Sequence, residues 1–218
     1  MKNLRKIIVI CLVLGLLLAS FVYYAVGLDK ESDKKAGKEE VKGSETGELK
    51  YEYIRFEGTV AEVSTNGEYF TILVERTDEE EPYDKMVFTL EEDGVIVNNK
   101  TMDLMGKDGI KEGTKVWVFY HKDTPILESY PARAGCNVIA VMEEDGIPNV
   151  EVYKFDKDLI STDRILRIFP NEETEIVDLK GNTLTEKGIK NKVAIVFYEV
   201  ADLSLPAQAA PKKVIVLD

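Results

Sequence analysis

The sequence predicts a mainly β protein: two tandem small antiparallel β units, Greek-key barrel-like, after an N-terminal apolar helix. Three observations predict this. Short β-rich runs recur at regular spacing, separated by Gly, Pro, Asn and Asp, with few helical patterns between them. One phrase occurs twice, as "YPARAGCNVIAVME" at 130–143 and "LPAQAAPKKVIVLD" at 205–218. An uncharged, mostly apolar run precedes everything else.

That run extends from Ile7 to Gly27, behind Lys2, Arg5 and Lys6. As a helix it would be roughly 30 Å long, about one bilayer core. Two readings are open. It is an uncleaved signal-anchor, or a signal peptide cut after Ala25-Val26-Gly27. The length favours the anchor. Lysines soon after the run oppose an outward domain by simple counting, but they are interleaved with acids, and long domains translocate largely regardless of charge. The expectation is a cell-membrane protein with a single pass through residues 7–27 and its main body extracytoplasmic, or a secreted one if cleaved.

Residues 28–50, "LDKESDKKAGKEEVKGSETGELK", are mostly charged and contain no aromatic residue. Such a stretch buries too little apolar surface to offset the entropy of ordering, so a disordered stalk is expected.

The first β unit should span residues 51–146. Its opening strands flank Asn66-Gly67, a pair that tolerates the backbone of a tight hairpin. "KMVFTLEEDGVIVNN" follows as a strand, a turn and a short strand. "MDLMGKDGIKEG" holds at most one helical turn, and "TKVWVFYHKD" and "CNVIAVMEE" complete the unit. The second unit, 147–218, is leaner. Its strand candidates are "NVEVYKFDKDLI", "DRILRIFP", "TEIVD", "KVAIVFYEV" and "KKVIVLD". Four landmarks run in the same order through both units. Gly109-Ile110-Lys111, Val118-Phe119-Tyr120, Pro131-Ala132 and Val138-Ile139 match Gly188-Ile189-Lys190, Val196-Phe197-Tyr198, Pro206-Ala207 and Val214-Ile215.

The blocks "GIKEGTKVWVFY…YPARAGCNVIAVM" and "GIKNKVAIVFY…LPAQAAPKKVIVL" resemble small exported β modules of clostridia-like Gram-positive bacteria. Those modules sometimes accompany the N-terminal-like repeat domain named after copper amine oxidase. The resemblance covers the last half of each unit. It implies location and architecture, and no activity; neither the amine-oxidase-like repeat nor a copper or quinone site is visible.

Charge narrows the partners. Residues 1–27 hold three of the 28 basic residues and none of the 40 acids, leaving 25 bases against 40 acids. Nucleic acid needs clustered positive charge and is not an expected partner. Plain electrostatic docking on anionic lipid is equally disfavoured. Of the two cysteines, Cys11 lies in the apolar run and Cys136 in a predicted strand, so no disulfide joins them.

Few residues carry recognisable chemistry. His121 is the only histidine, it closes a strand, and no Gly-x-Ser-x-Gly elbow accompanies it. One His and one Cys give no metal-ligand spacing, and no cofactor is expected. The acids of 78–84 could meet calcium but read more simply as a solvated loop. The Glu-Glu-Asp-Gly sequences at 91–94 and 143–146 read as Asp-Gly turns. Alternation puts Trp117 and Phe119 on one strand face and Tyr120 on the other. One face must be core; the other is a candidate binding face. Pro131 and Pro206, in the repeated Pro-Ala-x-Ala turns, are connectors or slightly apolar docking lips. The expected function is a non-catalytic extracytoplasmic envelope protein, a binding or spacer module tethered to the membrane, with another envelope protein or a cell-wall polymer as partner. The alternative is an enzyme, or an accessory subunit of one, with a carboxylate-based site.

Overall fold

A computed structural model describes residues 52–76 and 83–217. The apolar run, the charged stalk, Cys11 and the acids Asp78–Glu81 lie outside the described residues. Among the described residues no helix is long and apolar enough to cross a membrane.

The chain is mainly β. Its first five strands are β1 (Tyr53–Asn66), β2 (Tyr69–Glu75), β3 (Lys85–Asn98), β4 (Lys115–His121) and β5 (Ala132–Val141). They close into a barrel in the order β1-β2-β3-β5-β4, with β4 pairing back to β1. This is the strand order of a five-stranded Greek-key barrel. The Asn-Gly hairpin forms, with Asn66 facing Tyr69 across a Gly67-Glu68 loop. Gly67 has φ +63, a backbone that favours glycine.

Two expectations change here. The barrel is not purely antiparallel, because β3 and β5 run parallel. A closed ring of five strands cannot alternate direction at every step, so at least one pair must be parallel. The Glu-Glu-Asp-Gly at 91–94 is not a turn either. It lies inside the continuous strand β3, where the register with β5 shifts between Leu90 and Val95. A bulge accommodates extra residues and bends the strand without ending it. The second copy, 143–146, does turn, with Gly146 N–H donating to Glu143 O at 3.1 Å.

Six further strands follow: β6 (Asn149–Lys154), β7 (Leu166–Ile168), β8 (Glu175–Asp178), β9 (Val193–Tyr198), β10 (Ala207–Ala209) and β11 (Lys213–Val216). One sheet has the order β6-β9-β11-β8, and β7 pairs parallel with β10. These pairings correspond to those of the barrel. The antiparallel pair β6–β9 matches β1–β4, β9–β11 matches β4–β5, and the parallel pair β8–β11 matches β3–β5. The short pair β7–β10 occupies the place of the first halves of β3 and β5. The place of β2 is reduced to two bridges, Phe155 to Ser161 and Ile160 to Arg167.

The register corrects the last landmark by one residue. Val118 faces Ile139, whereas Val196 faces Val214, so Val214 corresponds to Ile139 and not to Val138. A one-residue slip exchanges strand faces. The burial agrees: Ile139 and Val214 each line the interior of their own half, while Val138 lies between the halves. The Pro-Ala-x-Ala phrases are also not turns beyond their prolines. Ala132 begins β5 and Ala207 begins β10.

Three apolar clusters hold the fold. One fills the barrel around Phe56, Phe88 and Ile139. The second fills the later half around Phe155, Leu166, Val196 and Val214. The third joins them: Val97, Phe119, Val138 and Ala140 from the barrel meet Val150, Val177, Ile195, Phe197 and Ile215. The two β halves therefore have cores of their own and share a third, and both belong to one compact unit.

Candidate functional site

The aromatic strand is divided as alternation requires, but neither face is free. Tyr120 points into the barrel core and is buried. Phe119 is 1% exposed and packs in the junction between the halves. Trp117 is partly buried against the same junction, with the Arg55 guanidinium 4.2 Å above its ring. This candidate binding face is an internal contact surface. Sequence alternation identified the two faces but could not show that a second half covers one of them.

The proline pair is placed differently. Tyr130-Pro131 and Leu205-Pro206 are both cis and stand at equivalent points, eight residues before Ile139 and Val214. In each, a serine two residues ahead of the proline donates its hydroxyl to the proline carbonyl. The distances are 2.8 Å for Ser129 and 2.7 Å for Ser204. Both connectors carry outward apolar side chains. Tyr130 is 75% exposed and Leu127 64%; Val200 is 76%, Leu203 104% and Leu205 70% exposed. These five make up most of the large apolar residues exposed among the described residues.

Local hydrogen bonds shape the second connector. Asp202 Oδ1 accepts from Ser204 N–H, from Ser204 Oγ and from Gln208 N–H. The Ser204 and Gln208 donors hold the Asp202 carboxyl below the usual carboxylate range. With its polar atoms turned inward on themselves, the loop presents aliphatic carbon outward. In the first connector, Tyr130 Oη donates to Asp84 at 3.0 Å, and Lys85 lies 4.9 Å from the ring centroid.

A polar cluster crosses the junction. Arg55 donates to Glu151 at 2.5 Å and pairs with Glu57 at 2.7 Å. Burial pushes the Glu151 carboxyl up to about 7; Arg55 opposes that rise, and the neighbouring charges of Glu57 and Asp163 add to it. Burial likewise raises the hydroxyl pKa of Tyr153, and of Tyr198 to about 12. Asp163 accepts from Ser161 Oγ at 2.5 Å, while its Oδ2 is buried without a hydrogen-bond partner. Glu151 was missed by sequence reading because, in β6, it looks like an ordinary outward residue of an alternating strand.

A second ionic contact crosses at Lys213, whose ammonium meets Asp103 at 2.6 Å and Glu175 at 3.2 Å. Burial alone would lower its pKa, but the two carboxylates outweigh burial and hold it above the ordinary lysine value. A cleft of about 350 Å³ opens beside this triad, floored by Val177 and Ile215.

The other sequence candidates are quickly placed. His121 ends β4, with its ring edge-on to Tyr53 at 5.5 Å and Asp123 3.6 Å away. Cys136 is buried, and burial raises its thiol far above the range of a reactive cysteine. Among the described residues no group of three or more His, Cys, Asp or Glu is arranged to hold a metal ion.

The fold and these surfaces define a class: a β-barrel module joined through a shared core to a leaner β half, with an apolar lip on each. No protein-family model, curated protein or solved structure matches the chain.

Proposed function

We propose that this chain is a non-catalytic extracytoplasmic binding module, a tandem repeat of one barrel design, tethered to the membrane through residues 7–27 and the 28–50 stalk. Its lips at Tyr130-Pro131 and Leu205-Pro206 dock on an apolar surface of another envelope protein. The observation that supports this reading is the matched pair of lips. Both halves bury their strand residues thoroughly, yet both expose large apolar side chains on the same connector. For the second lip a protein surface suits better than lipid. No Lys or Arg occurs between Glu199 and Pro211 to meet lipid phosphate, and Glu199 and Asp202 flank the leucines.

A photo-crosslinking side chain at position 203, in the full chain on intact cells, tests this. One discrete protein adduct is expected, reduced by Leu205→Ser and absent when the crosslinker is moved to exposed Lys187. Labelling spread over lipid, or none at all, would overturn the docking role. External protease on intact cells should remove the β halves; protection until lysis would overturn the location.

The enzyme reading has one observation in its favour, the Glu151 carboxyl near 7. Its pairing with Arg55 across the junction gives Glu151 a structural role as well.

A further inference from the structure

One cavity stands apart from both lips. It has a volume of about 260 Å³ and lies beside β7, lined by Lys157, Arg167, Phe169, Lys190, Asp158 and Glu186 among others. Cations concentrate here in a chain whose acids outnumber its bases by 40 to 28. Lys190 is paired with Glu186 at 3.3 Å. Arg167 makes no ion pair or hydrogen bond from its side chain to any described residue, and its Nε is fully buried without a hydrogen-bond partner. A buried N–H left without an acceptor is uncommon, and the Arg167 side chain lines the cavity.

The guanidinium sits over an aromatic ring. It lies 4.7 Å from the centroid of the Phe169 ring. Stacking on an aromatic ring leaves the guanidinium edge available for a planar or tetrahedral anion. The strand fixes both groups. Arg167 lies between Leu166 and Ile168, which are buried in the core of the second half, and so points away from it. Phe169 N–H donates to Ala209 O at 2.9 Å, anchoring the residue while its ring stays 42% exposed. Pro170 extends the apolar wall.

We propose that this cavity binds a sugar carrying a negative charge. A sugar-borne phosphate or carboxylate would meet Arg167, flanked by Lys157 and Lys190, and the C–H face of the ring would rest on Phe169 and Pro170. Asp158 and Glu186 are placed to accept hydroxyl hydrogen bonds from the same ring. The cavity is smaller than the roughly 300–1,000 Å³ of drug-sized pockets, which suits one ring with its charged substituent. The docking lips play no part in this argument.

The test uses the full chain in detergent, titrated with glucuronate, glucose 1-phosphate, glucose and inorganic phosphate, reading the Arg167 Nε–H resonance by NMR. Glucuronate, glucose 1-phosphate or both should shift that resonance, at least tenfold more tightly than glucose or inorganic phosphate; which one binds identifies the acid. Arg167→Met, which lacks that resonance and is read by titration calorimetry, should abolish binding. Phe169→Ser, at an exposed position, should leave the fold intact and weaken the charged sugar toward the level of the bare anion. Equal binding of inorganic phosphate and glucose 1-phosphate would reduce the cavity to a bare anion site and overturn the proposal. So would the absence of a shift with every probe, or full binding by the Phe169→Ser variant.

Discussion

The barrel and the later half solve the same pairing problem with different amounts of chain. The barrel uses 14 residues each for β1 and β3, and 7 for β2. The later half replaces β2 with two bridges and divides the counterparts of β3 and β5 into short pieces. What it keeps is informative. β9 and β11, which face the junction, are buried on both sides along nearly their whole length. Strand length is lost where only one face matters and retained where a strand serves its own core and the shared one together. Doubly buried strands read as unbroken apolar runs, as "VAIVFY" and "KVIV" do.

The sharpest way to break the comparison is to delete residues 213–218. Loss of Val214, Ile215 and Val216 removes about 1.5–3 kcal/mol of burial each, a large part of the roughly 5–15 kcal/mol of a small domain. The later half should unfold. The barrel should remain folded, but its single tryptophan, Trp117, loses its covering. A red shift in tryptophan emission at temperatures where barrel amides still resist hydrogen exchange would confirm this. An unchanged thermal transition would show that β11 is dispensable.

The next effect comes from Phe197→Ala in the junction, expected to cost about 3–5 kcal/mol as a large-to-small core change. Because Phe197 belongs to the shared cluster, calorimetry should show the whole unit weakened. A drop confined to one of two separate transitions would mean that the halves are thermodynamically independent.

A smaller effect is set by pH. Burial pushes the folded-state Glu151 carboxyl up to about 7, above an unfolded-chain value of about 4.3. The folded state therefore binds this proton more tightly than the unfolded state does. Its contribution is full below about pH 4.3 and is lost as pH rises through 7. Glu151→Gln should flatten that part of the stability profile, measured as the difference between variant and parent in urea melts from pH 4 to 8. A parallel offset at every pH would refute the assignment. The smallest effect belongs to Leu203→Ser, which should change stability by less than about 0.5 kcal/mol. Its side chain is fully exposed, so a marked loss in the same melts would mean that the lip is packed in solution.

Much of the fold was legible. The hairpin near Gly67, the single turn at Lys107–Gly109 and most strand positions follow from spacing and turn residues. The misses share one cause. Asp93-Gly94 can make a turn or sit in a bulge, and only the parallel partner β5 decides between them. Val138 and Val214 look equivalent as letters, and only register separates them. Of the candidate site residues, Pro131 and Pro206 mark exposed loops, while Trp117, Phe119 and Tyr120 are committed to the interior. Glu151 and Arg167 gave no local signal, since each takes its character from residues distant in the chain.

The opening of β1 has a mechanical consequence. Glu52 is hydrogen-bonded to Thr162, and its carbonyl accepts from Lys122 N–H. Three residues on, Arg55 is tied to Glu151. A pull arriving from the N-terminal side would reach this point first. β1 is paired with β4 along its first half, Tyr53 to Thr59, and with β2 along its second, Thr59 to Asn66. Tension along its axis would load the seven residue pairs from Tyr53–His121 to Thr59–Lys115 together, in shear, while the ties to Thr162 and Glu151 pass part of the force to the later half. The first described strand is thereby built as an anchor plate, with the load divided between both halves.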